Sequence, residues 1–290
     1  MANLKEVKTR ISSVKSTQQI TKAMKMVAAA KLRKAQDGIL QMRPYAYKLD
    51  GILKGISASL DTEDNIYSEE REVTNVLIVA VTSDRGLCGP FNSNIFKATN
   101  ALIAKKYADQ FKEGNVTIMP IGKKALDYFT KRDYIVNKDF ALLFGHLSFE
   151  GAIKAAKYAM KSFEDNKFDS VEIVYNEFKN VATQIICTEQ FLPIASSDNQ
   201  DSTNIHDYIY QPSQESLVEH LIPSSLRIQF YKALLESNAS ENGARMTAMD
   251  KATDNAGELL KVLKLQYNQT RQAAITNEIL EIVAGAEALG

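Results

Sequence analysis

The sequence predicts a mixed α+β and α/β chain: a long antiparallel coiled coil of N- and C-terminal helices, with a Rossmann-like α/β domain inserted between them. Three observations predict it. Apolar residues recur at helical spacing over both ends of the 290 residues, the middle changes to short apolar runs between turn residues, and breakers are few, with 6 prolines and 13 glycines. The spacing places the arms at residues 1–60 and 213–290 and the α/β domain at 70–205.

In the first arm, 3-4 steps run from Leu4 through Val7, Ile11, Val14, Gln18, Thr21, Lys25, Ala28, Leu32, Ala35 and Ile39 to Ile56. Thirteen of these sixteen positions are apolar, which is a sustained heptad seam. Asn3 followed by Glu6 predicts a cap, with the carboxylate near the positive end of the helix. Pro44 lies off the seam and predicts a bend or one opened turn, because it lacks a donor. Gly51, Gly55 and the acidic run from Asp61 to Glu72 mark the helix's decline.

In the middle, Val76–Val81 reads as a strand buried on both faces. Ser83–Pro90 is a turn, and a helix runs from Asn92 to about Gln110. A strand over Val116–Ile121, a short helix over Lys123–Thr130 and a third strand over Tyr134–Asp139 follow, then a helix over Phe149–Phe163. Val171–Tyr175 and Val181–Thr188 read as a hairpin, and the polar stretch 196–211 as a loop.

In the last arm, Met246, Met249, Thr253, Ala256, Leu260, Leu263, Tyr267, Thr270 and Ala274 form a second seam. It shifts phase through Ile275, Ile279, Ile282, Ala286 and Leu289, as a stutter does. Pro223 predicts a bend or restart near the helix's beginning. Helices of about 55 and 70 residues span roughly 80 and 105 Å. A compact globule of this length has a radius of gyration of about 19 Å and a diameter of about 50 Å. Neither helix fits inside it, so the two are expected to pair.

Composition narrows the function. With 45% hydrophobic and 24% charged residues the chain can build a core, which argues against disorder. The 35 basic and 35 acidic side chains cancel, which disfavours a generally basic nucleic-acid binder. Cys88 and Cys187 make no disulfide framework and fit a reducing compartment. No apolar stretch is long enough to span a bilayer, and the start of the chain reads as neither signal nor transit peptide.

Chemistry-bearing motifs are weak. Gly86 and Gly89 before a helix could cradle a phosphate, helped by Arg85, but the dinucleotide glycine pattern and the Walker lysine are missing. The simpler reading is a tight turn. Cys88 has no histidine near it in sequence; His146, His206 and His220 are the chain's three. Cys187, among apolar neighbours in a strand, is expected to be buried. Glu69 and Glu70 sit in a polar linker, and no spacing matches a metal site. No catalytic residue, cofactor ligand or metal ligand is predicted.

Charge is unevenly spread. Residues 1–43 carry ten Lys and Arg against Glu6 and Asp37, a net of +8, whereas 196–222 carry five carboxylates and no Lys or Arg. So basic a helix calls for an acidic partner, either nucleic acid or acidic protein loops. The tip from Ile279 to Leu289 is apolar apart from Glu281 and Glu287, which suits an apolar surround.

Three blocks carry a family resemblance: Ile11 through Ser16-Thr17-Gln18-Gln19-Ile20-Thr21-Lys22-Ala23-Met24-Lys25-Met26 to Lys31, Ser83-Asp84-Arg85-Gly86-Leu87-Cys88-Gly89, and Ala244-Arg245-Met246 through Ala252-Thr253-Asp254-Asn255-Ala256 to Arg271-Gln272-Ala273-Ala274-Ile275-Thr276-Asn277-Glu278-Ile279. The chain resembles the gamma subunits of F-type ATP synthases over its whole length. The middle and residues 196–240 match least closely. The resemblance implies a central rotor shaft that couples ion flow through a membrane ring to ATP synthesis or hydrolysis. It implies no catalysis on this chain and no cofactor, one copy per complex, and alpha, beta, epsilon and c-ring subunits as partners. It puts Met24, Lys25, Arg245, Arg271, Gln272 and Thr276 against beta. Ile279, Ile282, Val283 and Leu289 become a bearing tip, and Tyr208 and Tyr210 face epsilon and the ring. The chain departs from many members at Pro90, and it lacks the chloroplast members' regulatory cysteine insert, so no thiol switch is expected. The expected location is the cytoplasmic face of a bacterial membrane. The rival readings are a nucleic-acid-binding coiled-coil arm, which shares the basic helix, and an NAD-type enzyme on the α/β domain.

Overall fold

A seam of apolar residues every three or four positions buries one stripe of a helix, and both ends of this chain are such helices. The computed structural model describes residues 4–57, 66–69, 71–194 and 214–287. The first helix, α1, is Leu4–Ser57, with Glu6 in its first turn. Every described seam position from Leu4 to Leu49 is buried or half-buried. Pro44 is exposed, and the helix runs on through it. One lost hydrogen bond is tolerated where Met42 and Leu49 on either side stay packed. The capping residue Asn3 lies outside the described residues.

The middle elements are β1 (Val76–Val81), α2 (Phe91–Lys106), α3 (Ala108–Lys112), β2 (Val116–Ile121), α4 (Lys123–Thr130), β3 (Ile135–Val136), α5 (Phe149–Glu164), β4 (Ser170–Phe178) and β5 (Gln184–Leu192). The last helix, α6, is Gln214–Glu287 and continues through Pro223. The chain divides into two units, residues 1–28 with 245–290, and residues 29–244.

The first unit is an antiparallel helix pair. Gln18 lies against Gly257, Thr21 against Thr253 and Lys25 against Asp250, so numbers rise on α1 as they fall on α6. Val7 and Ala28 on one side and Met249, Ala256 and Leu263 on the other are buried. Continuing that pairing puts Leu4 opposite about residue 270, since both helices rise equally per residue. Past Ala274 every described residue of α6 is exposed.

The second unit holds a five-stranded sheet in the order β3-β2-β1-β4-β5. Val76 pairs with Val116 on one side and Ser170 on the other, both parallel. β5 closes the edge antiparallel to β4. Alternation sends Leu77, Val79 and Val81 into a core with α5 and α6, and Val76, Ile78 and Ala80 into a core with α2 and α4. α6 is therefore also a wall of this domain, through Ile222, Leu226, Phe230, Ala233 and Leu234. On the other side of α6, Leu32, Ala35 and Ile39 of α1 pack with Leu235, Ala239, Phe178 and Val181.

Local differences from the sequence reading have physical causes. The helix after the first turn breaks at Tyr107, whose buried hydroxyl bonds Ser170 and the carboxylate of Glu172 at 2.7 Å. The third strand shrinks to two residues. The hairpin is longer and shifted, because 179–183 forms the turn and β5 begins at Gln184.

Candidate functional site

In an open parallel sheet, ligands enter the crevice at the strands' C-terminal ends, where the strand order reverses. Here that point lies between β1 and β4. The turn after β1 is held by Asn92, whose Oδ1 accepts from Ser83 N at 3.0 Å and whose Nδ2 donates to Ser83 Oγ at 2.8 Å and to Cys88 Sγ at 3.2 Å. Leu87 and Gly89 both take positive φ, 64° and 57°, as a tight turn requires.

The crevice itself is filled by the chain's own last helix. Cys88 and Phe91 pack with Ala244. Gly243 lies against Phe178 and the backbone of Val181, where a Cβ would come within 3.3 Å of the Phe178 ring. The carboxylate of Glu236 accepts from Phe178 N at 3.2 Å. Asn176 Nδ2 donates to Phe91 O at 3.4 Å. With positive φ at Leu87 and Gly89 and the Asn92 bonds across it, the Gly86–Gly89 stretch is a tight turn.

Cys88 is buried, but Cys187 is half-exposed, which corrects the expectation that it is buried. The cause is its place on the edge strand. Partial burial first, and then the Glu177 carboxylate beside it, push its thiol up to about 11. At pH 8 its thiolate fraction is then on the order of one in a thousand. Alkylation of Cys187 in the folded chain should be slow at pH 8 and rise about tenfold per pH unit up to pH 10, the thiolate being the nucleophile. A rate at pH 8 matching that of a free thiol would contradict this. Among the described residues no group of His, Cys, Asp and Glu could hold a metal ion.

The residues expected to meet partners fall into distinct settings. Met24 is half-buried, and Lys25 Nζ bonds Asp250 Oδ1 at 2.5 Å across the helix pair. Arg245 is half-buried. Arg271, Gln272 and Thr276 are exposed, with Thr276 Oγ1 donating to Gln272 O at 2.9 Å. Ile279, Ile282 and Val283 are exposed, Ile282 by 72%. Tyr208, Tyr210 and Leu289 lie outside the described residues. Sequence reading put Thr253 on the second seam without pairing it to Thr21, and it missed Asp250. The signal was there, since Gln18, Thr21 and Lys25 are the three polar positions of the first seam.

Comparison with known proteins agrees with this arrangement. Residues 3–289 match the family model described as ATP synthase. The chain is 61% identical to the ATP synthase gamma chain of Cytophaga hutchinsonii and 54% identical to that of Christiangramia forsetii, covering all of this chain and 99% of each relative. Among solved structures, it resembles a chain of the Tetrahymena thermophila mitochondrial ATP synthase central stalk and c-ring, with 25% identity and a TM-score of 0.56 over 80% of this chain and 99% of that one. A chain of the Euglena gracilis mitochondrial enzyme, 22% identical, shares the fold with a TM-score of 0.66, covering 99% of this chain and 94% of that one. The nucleic-acid-arm reading finds no support among these relatives. The paired terminal helices, the filled sheet crevice and the full-length matches together place this chain in the ATP synthase gamma-chain family, the central-stalk rotor shafts of F-type ATP synthases.

Proposed function

We propose that the chain performs no chemistry of its own and turns as a single copy inside a hexamer of alpha and beta subunits, carried by the membrane c-ring and epsilon. The observation that carries this reading is the unpartnered end of α6. Ile275, Ile279, Leu280, Ile282 and Val283 are exposed on a helix that has outrun α1. An apolar helix end of this kind needs an apolar surround, and apolar contact is non-directional, so turning within it breaks few specific bonds. Among the described residues no helix is long and apolar enough to cross a membrane. The chain would then sit peripherally, on the cytoplasmic face of a bacterial membrane.

The basic α1 supports contact with acidic loops of beta, near Met24 and Lys25. Arg245, Arg271, Gln272 and Thr276 would meet other loops of beta, and Tyr208 and Tyr210 would meet epsilon and the ring. The direct test mixes the chain with alpha and beta of its own organism and weighs the product by native mass spectrometry. One copy per hexamer, with ATPase activity appearing, is the expected result, and a hexamer without the chain contradicts it. Replacing both Arg271 and Gln272 by alanine should weaken ATP synthesis in membranes by about tenfold, the factor for losing a transition-coupled contact of ~1.4 kcal/mol. The isolated chain's helicity should be unchanged, because both side chains are exposed. Undiminished synthesis would count against the assignment.

A further inference from the structure

A rotor shaft must pass twist from its globular domain into both of its helices. α6 is anchored there, since it is a wall of the α/β core. Among the described residues, none of α1 belongs to that core. In the second unit it rests on α6 and the turn after β4 through Leu32, Ala35 and Ile39. Such contact resists separation, but it is non-directional and lets one helix roll on another.

Directionality comes from Glu236. Its side chain is fully buried, and its two oxygens serve different elements. Oε1 accepts from Arg43 of α1, from Nη2 at 2.9 Å and from Nε at 3.3 Å. Oε2 accepts from the backbone N–H of Phe178, at the end of β4, at 3.2 Å. A carboxylate placed so fixes three elements at once: α6, which carries it, α1 and the sheet. Charge-assisted bonds are short and angle-dependent, so they oppose rolling where apolar contact does not. The surroundings make the bond matter. Ser237 Oγ, Ser240 Oγ and Asn242 Oδ1, on the same buried stretch, have no hydrogen-bond partner among the described residues. Without Arg43, the Glu236 carboxylate keeps the neutral Phe178 N–H as its bonded donor, and a buried charge held so is costly.

We propose that Glu236 is a positioning residue for torque transfer: its carboxylate keys α1 to α6 and to the end of β4, so that twist of the α/β domain enters both helices together. The proposal rests on the family's role as a shaft, and not on the residues assigned to beta.

The test uses assembled ATP synthase in vesicles, carrying the wild-type chain, Glu236→Gln, Arg43→Lys or the double variant Arg43→Leu/Glu236→Leu. Three quantities are read: chain incorporated per hexamer, protons pumped per ATP hydrolysed, and hydrogen exchange of residues 32–43. Incorporation of the wild-type chain tests the shaft role by itself, and the ratio of pumping to hydrolysis tests the key. Glu236→Gln should incorporate and hydrolyse ATP, while exchange protection of 32–43 falls about tenfold, as for a broken pair of which only Glu236 is fully buried. The pumping ratio should fall with it. Arg43→Lys keeps the charge and should hold the ratio near the wild-type value. The double leucine variant restores packing without direction, so it should recover protection and not the ratio. An unchanged ratio in Glu236→Gln, or a fully recovered ratio in the double leucine variant, overturns the proposal.

Discussion

Leu263→Asp should strip about 4 kcal/mol from the helix pair, the usual loss when an unpaired charge is forced into a packed seam. Leu263 is 6% exposed and lies on the line of Met249 and Ala256 that faces α1. Its neighbour Val262 is 62% exposed on the outer face. Val262→Asp therefore makes the control, with an expected change of about 0.5 kcal/mol or less. Circular dichroism at the helical minimum, followed through thermal unfolding, separates the two. A chain of this size shifts its midpoint by roughly 2–4 °C per kcal/mol, so Leu263→Asp should melt about 10 °C lower. Equal shifts for the two variants would mean that the seam runs along a different face.

Gly122→Ala should damage the α/β unit nearly as much. Gly122 joins β2 to α4 with φ 110°, where L side chains are strained, and a Cβ there would lie 2.1 Å from the Thr82 carbonyl oxygen. The crossing is tight because Thr82 N donates to Ile121 O at 2.7 Å and Thr82 Oγ1 accepts from Ala125 N at 2.9 Å. Backbone must move, and the cost is about 3–5 kcal/mol. Gly114 has φ 79° and nothing within 4 Å of a built Cβ. Gly114→Ala should then cost only about 1 kcal/mol, for the strained dihedral alone. Urea unfolding of the two variants gives the comparison through their midpoints. Comparable losses would show that the β2–α4 crossing relaxes freely.

Which features were legible follows from which residues repeat. The seam from Leu4 to Leu49 could be read because each burial event recurs every third or fourth residue. Val76–Val81 could be read because a central strand is buried on both faces and so is apolar throughout. The edge strand could not be bounded, since Gln184, Thr188, Glu189 and Gln190 give no alternation strong enough to fix its register. Tyr107 hid a helix break, because its reason is a carboxylate 65 residues away on β4. The stretch Glu236–Asn242 misleads most. Its polarity suggests a solvated face, yet Glu236, Ser237, Ala239, Ser240 and Asn242 are buried between α1 and the sheet's end. Small side chains are there for close approach, and Glu236 for its bonds, and neither purpose leaves a periodic signal. Of the proposed partner contacts, only the apolar tip and the basic helix could be drawn from the residues themselves. The others came from family likeness, because a surface that meets another chain looks like any exposed surface.

The place of α6 in the α/β core also governs how the chain can be made. The sheet's strands are complete once synthesis passes Leu192, but one face still lacks the wall that Ile222, Leu226, Phe230 and Leu234 supply. Until those residues emerge, Leu77, Val79, Ile173 and Phe191 have an unfinished cover. The domain thus cannot reach its native state on a ribosome that has not yet begun the final helix, although domains otherwise tend to fold as units during synthesis. A chain truncated before residue 222 would display an apolar sheet face, a ready target for chaperones and proteases. Completion of the sheet's core is thus deferred until the first turns of the final helix have been made.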